Sequence, residues 1–231
     1  MSIEDDLIKH KIFLQRYIKQ ETNLYKDVLQ QAKVAVATVK ADKKLYLQVL
    51  LGMHNSATFA RLQKLMNYET DLAAQLVAKW SDMESITPDA ASINDTTLGF
   101  ATYGQRIPLK DAYTKFNDQT IDKLMQADSD AETDTDLLVS LGALTTGLVL
   151  SQYDSLSSTA VNTISTDAHE DVFEENTQVI DSIEWSSVLD EATCDDCEAL
   201  DGTVFDIDNV EEDCPLHANC RCELIPILNN D

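Results

Sequence analysis

Thr193-Cys194-Asp195-Asp196-Cys197, Leu200-Asp201-Gly202 and Cys214-Pro215-Leu216-His217-Ala218-Asn219-Cys220-Arg221-Cys222 hold every cysteine of the 231-residue chain, all five of them. Buried free cysteines behave as small apolar residues and have no reason to cluster in sequence. A shared ligand gives them one. Zn²⁺ takes four N or S ligands in a closed tetrahedron, and a C-x2-C knuckle with a distant second pair supplies them. Cys194 and Cys197 form the first pair, and His217 with Cys220 the second. Cys214 and Cys222 are spare thiols that stand as alternates for His217 or Cys220. Disulfides are the competing use of these thiols, but five is an odd number. The acidic start Met1-Ser2-Ile3-Glu4-Asp5-Asp6 also lacks the basic n-region of a secretory leader, so synthesis in a reducing cytosol is expected. A closed shell is structural, whereas a catalytic zinc keeps one position for water.

Zinc deaminases combine H-x-E with a downstream P-C-x-x-C, and His169-Glu170-Asp171 precedes the first knuckle. Both halves of that match fail. Asp171 stands where the general acid/base Glu is needed, and Thr193 where Pro is needed. No catalytic residue is assigned.

Around the cysteines the period of the chain changes to two. Glu184 to Leu189, Thr203 to Phe205 after the Asp201-Gly202 turn, and Cys222 to Ile225 read as short strands. Cys220 and Cys222, two apart on extended chain, project to the same face. Some 45 residues of short strands make too small a core to fold alone, so metal binding supplies folding free energy here. Trp185 and Phe205 are placed as cover for the site, and Asp190 with Arg221 as an ion pair.

Trp185-x4-Asp190, Cys194-x2-Cys197-x2-Leu200-Asp201-Gly202 and His217-x2-Cys220-Arg221-Cys222 followed by Pro226 resemble the C-terminal signature of tailed-phage minor head proteins, the Mu F-like or head morphogenesis family. The resemblance covers roughly residues 160–228 and is most specific in its last 45. Ala218 departs from the Pro usual after the His, and Cys214 is an additional thiol.

Upstream the periodicity is helical. Six Gly and four Pro in the whole chain favour helix. Residues 3–51 read as long amphipathic helix, with Glu21-Thr22-Asn23 as a candidate break. Asn55-Ser56 and Thr70 are placed as caps of two further helices, bearing Leu62 and Leu65, then Leu76 and Val77. Residues 85–108, with Pro88, Asn94-Asp95, Gly99, Gly104 and Pro108, read as a long loop. Helix returns from Leu109 to Met125. The acidic run Asp128 to Asp136 lacks the Gly and Glu of a calcium loop and reads as a linker leading into a helix N-terminus. An apolar helix spans Leu137 to about Tyr153, and Ser155 or Ser157 opens another bearing Val161, Ile164, Ala168, Val172 and Phe173. His169 near that stripe reads as a packed or surface side chain.

The expected fold class is therefore mainly α (α+β): an N-terminal region of long helices followed by a small zinc-stapled β module. The expected domains are 1–130, a helical region contacting portal or capsid; 131–183, the helical part of the minor-head domain; and 184–231, the zinc-binding β module.

Charge separates along the chain. Residues 1–50 hold nine Lys/Arg against six Asp/Glu, whereas Leu124 onward holds 26 Asp/Glu and a single basic residue, Arg221. A half so acidic repels phosphate, which argues against sequence-specific nucleic-acid binding. No apolar run approaches the length of a bilayer span. The resemblance implies a non-enzymatic structural protein of the virion head, near the portal or inner shell, present in the host cytoplasm during assembly. It implies portal protein, major capsid protein or both as partners, with several copies per particle. A cellular zinc-ribbon adaptor and a zinc-dependent hydrolase are the alternatives.

Overall fold

With so few Gly and Pro to interrupt it, the chain runs in long helices. The computed structural model describes residues 3–81, 83–89, 91–94, 96–98, 106–207 and 214–229. Its elements are α1 (Ile3–Thr38), α2 (Lys43–Trp80), β1 (Thr97–Leu98), β2 (Ile107–Pro108), α3 (Leu109–Asp130), α4 (Asp134–Ala143), a π-helical turn (Leu144–Leu148), α5 (Val149–Glu174), β3 (Ile180–Ser186), α6 (Asp195–Leu200), β4 (Val204–Asp206) and β5 (Glu223–Leu228). A mainly helical chain with a small C-terminal sheet is thus observed. Among the described residues no helix is long and apolar enough to cross a membrane.

Several expected helix boundaries fall elsewhere. Thr22 does not break α1. The interruption lies between α1 and α2, where Asp42 adopts a left-handed φ of 49°. Ser56 and Thr70 open no helices: their hydroxyls donate to the carbonyls of Gly52 and Met66, at 3.1 and 2.9 Å, inside one continuous α2. Hydroxyls bonded four residues back are self-satisfied and compatible with a helix interior. Neither Ser155 nor Ser157 starts a helix, since α5 runs through both and Ser157 is fully buried. Thr133 does cap α4, accepting from the Asp136 amide at 3.1 Å, with Asp134 and Asp136 in the first turn as the dipole favours. The loop before α3 contains the β1–β2 pairing; its Asp95, Gly99 and Gly104 lie outside the described residues.

The chain divides into two compact units that interleave in sequence: Met1–Ile8, Arg61–Leu109 and Thr159–Asp231 form one, and Lys9–Ala60 with Lys110–Ser158 the other. The second is built on aromatic packing. Tyr25 and Tyr153 stack with ring centroids 3.9 Å apart, and Phe116 and Tyr113 pack against them. The His54 ring meets the Tyr153 hydroxyl at 3.2 Å. Burial pushes the Tyr153 phenol well above its ordinary pKa, so it stays a neutral hydrogen-bonding group.

The first unit holds the three-stranded antiparallel sheet, ordered β4-β3-β5. The central strand β3 alternates in burial, with Ile183 and Trp185 fully inside. Glu184 pairs with Ile225 and Trp185 with Leu224. Pro226, which cannot donate, sits on the edge strand β5, where a missing ladder bond is tolerated. Gly202, at φ 75°, makes the turn before β4, and its amide reaches the Trp185 carbonyl at 2.8 Å. The inner face packs against Ala73, Ala74 and Val77 of α2 and Val172 and Phe173 of α5 in one apolar cluster with four cysteines.

Candidate metal centre

The C-x2-C knuckle folds as the start of a helix. Cys194 is extended, at φ −82° and ψ 161°, and stands as N-cap of α6; its sulfur accepts from the Cys197 amide at 3.4 Å. Both thiols therefore project from one turn. That amide bond holds the Cys194 thiol below its ordinary pKa. The second pair comes from a turn between α6 and β5. Cys220 bonds back to the His217 carbonyl at 3.0 Å, and Asn219 between them takes a left-handed φ of 60°.

The pairs converge. His217 Nε2 lies 3.0 Å from Cys194 Sγ and 3.2 Å from Cys197 Sγ, and Cys197 Sγ lies 3.7 Å from Cys220 Sγ. Cys194, Cys197 and His217 form one group with metal-binding potential, and Cys197, Cys220 and Cys222 a second that shares Cys197. No disulfide joins any of the five cysteines. His217 Nδ1 stands 2.8 Å from the Ala218 carbonyl, which can only accept, so Nδ1 carries the proton and Nε2 presents its lone pair to the thiols.

Cys214 is placed elsewhere. Its thiol donates to the Cys222 carbonyl at 3.5 Å, and burial raises its pKa well above the ordinary value. It belongs to neither ligand group. Cys222 is close, but Ser187 claims it. The Ser187 hydroxyl donates to the Cys197 carbonyl at 2.6 Å, so in its 3.3 Å contact with Cys222 the thiol is the donor. The adjacent Cys222 side chain, together with the backbone amides of Cys222 and Leu216, pulls the Cys220 thiol down, to about 5. Cys197 moves the other way, raised by burial. A bound cation overrides such a rise, because a coordinating thiol is deprotonated outright.

Thiolate sulfur and imidazole nitrogen are donor types that Zn²⁺ takes. Bond lengths of about 2.3 Å to sulfur and about 2.0 Å to nitrogen set tetrahedral edges of roughly 3.8 Å between sulfurs and roughly 3.5 Å between sulfur and nitrogen. The 3.7 Å separation of Cys197 and Cys220 matches the first, and the His217 contacts lie slightly inside the second. The cavity between these side chains is about 20 Å³. That is room for a water-sized occupant and none for a substrate.

Residues outside the motif hold the second knuckle in place. Asn162 of α5 donates to the Cys220 carbonyl at 2.5 Å, and Thr159 accepts from the Asn219 amide at 3.2 Å. Arg221 forms a bidentate pair with Asp190, at 2.7 and 2.5 Å, which holds the Asp190 carboxyl well below the usual range. Trp185 covers the site from the core and donates to Ser187 at 3.2 Å. Asp190 and Arg221 were legible as opposite charges, but Thr159, Asn162 and Ser187 were not. The available signal for the α5 pair was a polar stripe, Thr159, Asn162 and Thr166, at helical spacing beside the apolar one. His169 is remote from the cysteine groups in its bonding: it pairs with the buried Glu69 carboxylate at 3.3 Å.

The candidate ligands and the residues that hold them, from Thr159 to Cys222, lie within residues 119–225, which match the family model described as phage Mu protein F like protein. That stretch is similar to the phage Mu protein F-like family and makes up a little under half of the chain. No curated protein and no solved structure matches the chain. The Mu F-like stretch begins some 40 residues before the point at which its signature becomes readable. It includes α4, the π turn and all of α5, and so takes in Thr159 and Asn162 together with the ligands they position.

Proposed function

We propose that this chain is a structural minor head protein of a tailed virus, associated with the portal or inner capsid and acting in head assembly, genome packaging or delivery. The observation that carries this reading is the match of residues 119–225 to the phage Mu protein F-like family, with cysteine and histidine groups that could hold a metal inside it. Cys194, Cys197, His217 and Cys220 would hold one structural Zn²⁺, with Cys222 as a protonated neighbour. The bound ion supplies a rigid cross-link between the α6 knuckle and the turn before β5. The chain's own residues do the rest: Ser187 and Asn162 fix the backbone at the two knuckles, His217 presents a defined tautomer, and the sheet offers a stiff surface to a head protein.

A family of head-related proteins and a cavity too small for a substrate both favour a non-enzymatic role. Metal analysis of purified particles, combined with localisation of this chain relative to the portal, tests the reading. About one zinc per chain at or near the portal is expected, following from a single four-ligand site. Particles without this chain, or normal head assembly by a Cys194→Ser, Cys197→Ser double variant, would sink it.

A further inference from the structure

Two helical stretches of the second unit expose apolar side chains and carry no charged residue of their own. Residues 45–60 of α2 contain no Asp, Glu, Lys or Arg, and neither do residues 137–152 of α4, the π turn and α5, in a chain that is 25% charged. Each stretch is about 24 Å long at 1.5 Å per residue. Leu45, Val49 and Met53 recur every four residues on the outer side of α2, and Met53 is 69% exposed. Leu138, Val139 and Leu148 stand out from the other stretch, where Val139 is 67% exposed. His54 is buried on the inner side of α2, whereas Tyr46 is exposed with the apolar side chains.

The flanks of the two faces are opposite in sign. Lys43 and Lys44 precede the α2 stretch and Arg61 and Lys64 follow it, whereas Glu132, Asp134 and Asp136 precede the other and Asp154 follows it. Part of this charge is already engaged. Lys43 binds Asp128 at 2.6 Å, Lys44 approaches Asp122 at 3.5 Å, and Thr22 donates to Asp154. The Lys33 ammonium also approaches Gly142, which lies on the same side of its helix as Leu138 and Val139. A contact of either face with its own copy would set like charges against each other at both ends. A contact of one with the other sets unlike charges together at both ends, and buries apolar side chains of matched length between them.

We infer that a second copy of this chain docks here, its acidic-flanked face of residues 137–152 on the basic-flanked face of residues 45–60. Such a contact is heterologous, so the pair retains one unused face of each kind, one on each copy, and the association propagates into a ring or a chain of subunits. One helix pair of this length falls short of the roughly 800 Å² per partner of standard stable interfaces, so assembly depends on concentration. It also weakens with salt, because the flanking charges are exposed.

Sedimentation of the full-length protein tests this, together with Met53→Arg on one face and Val139→Asp on the other. At about 100 µM, well above a micromolar Kd, wild type is expected to sediment as species larger than a dimer. Each variant alone keeps a single working face and is expected to be monomeric. Their equimolar mixture is expected to form a dimer and nothing larger. The milder Val49→Gln and Leu138→Gln give the same pattern without added charge, and unchanged melting of each variant shows that folding is intact. A monomeric wild type, assembly that survives one of the two substitutions, or a mixture that stays monomeric each overturns the proposal. The first of those results would leave the faces to a different protein without touching the reading of the metal centre.

Discussion

At the scale of single residues, Ser187 joins the sheet to the metal centre. Its one hydroxyl proton goes to the Cys197 carbonyl, while Trp185 Nε1 and the Cys222 thiol both turn toward its oxygen. Ser187→Ala leaves the buried indole N–H without its acceptor, a loss expected to cost about 1–3 kcal/mol in chemical denaturation. An unchanged midpoint would mean that water replaces the hydroxyl. The same geometry separates Cys220 from Cys222. Cys220→Ser is expected to abolish stoichiometric zinc binding, whereas Cys222→Ser retains one ion per chain, as read by metal analysis after gel filtration. The reverse pattern would exchange their roles. The two candidate pairs, Cys194 with Cys197 and His217 with Cys220, were legible as pairs because each is local, two residues on one turn. Asn162 was not, because its bond to Cys220 spans 58 positions and nothing in the local pattern of α5 names the acceptor.

At the scale of elements, α5 carries Asp167, Glu170, Asp171 and Glu174 at steps that place them along one side of the helix. Burial, reinforced by neighbouring carboxylates, pushes Asp167 up to about 7 and Glu170 up to about 8, with Arg106 partly opposing both. In the unfolded chain such groups lose their protons near pH 4. Between about pH 4 and 8 the folded state therefore holds more protons than the unfolded one, and stability falls as pH rises across that window. Glu170→Gln removes one of these titrations. The variant is expected to match wild type near pH 5 and to exceed it at pH 8 by a margin on the order of 1–3 kcal/mol, measured as urea midpoints at both pH values. Parallel pH profiles would show that Glu170 is solvated. The elements themselves were legible where apolar periodicity was continuous, as along α3 and the Val161 to Phe173 stripe. Boundaries were misplaced where Ser56, Thr70 and Ser157 were given the role of caps, since a hydroxyl in a helix interior and one at its start look alike until its acceptor is known. The strands were found from their period of two, whereas α6, six residues long, is too short to show a helical one.

At the scale of the whole molecule, the metal centre and the long helices of the first unit share one core. Cys197, Cys214, Cys220 and Cys222 are buried in the same cluster as Trp185, Phe173, Val172 and Val77. Three short strands and an ion would close only one side of that cluster; α2 and α5 supply the other. Zinc binding and helix packing are thus expected to be coupled, as interactions through a shared core generally are. Phe173→Ala, which removes no candidate ligand, is expected to cost about 3–5 kcal/mol of stability. Because the apo form is thereby shifted toward states without preformed knuckles, the variant is also expected to bind zinc more weakly in competition with a chromophoric chelator. Unaltered zinc affinity beside a large loss of stability would separate the two. The same coupling governs fragments. Residues 178–231 contain Trp185 as their sole tryptophan, so its emission reports directly on whether the sheet closes over the ion. With equimolar Zn²⁺ this fragment is expected to bind metal through its local ligand pairs yet keep the red-shifted emission of an exposed indole, because the helical side of the core is missing. Blue-shifted emission equal to that of the full chain would show that strands and ion suffice, and that α2 and α5 only rest on a module already folded.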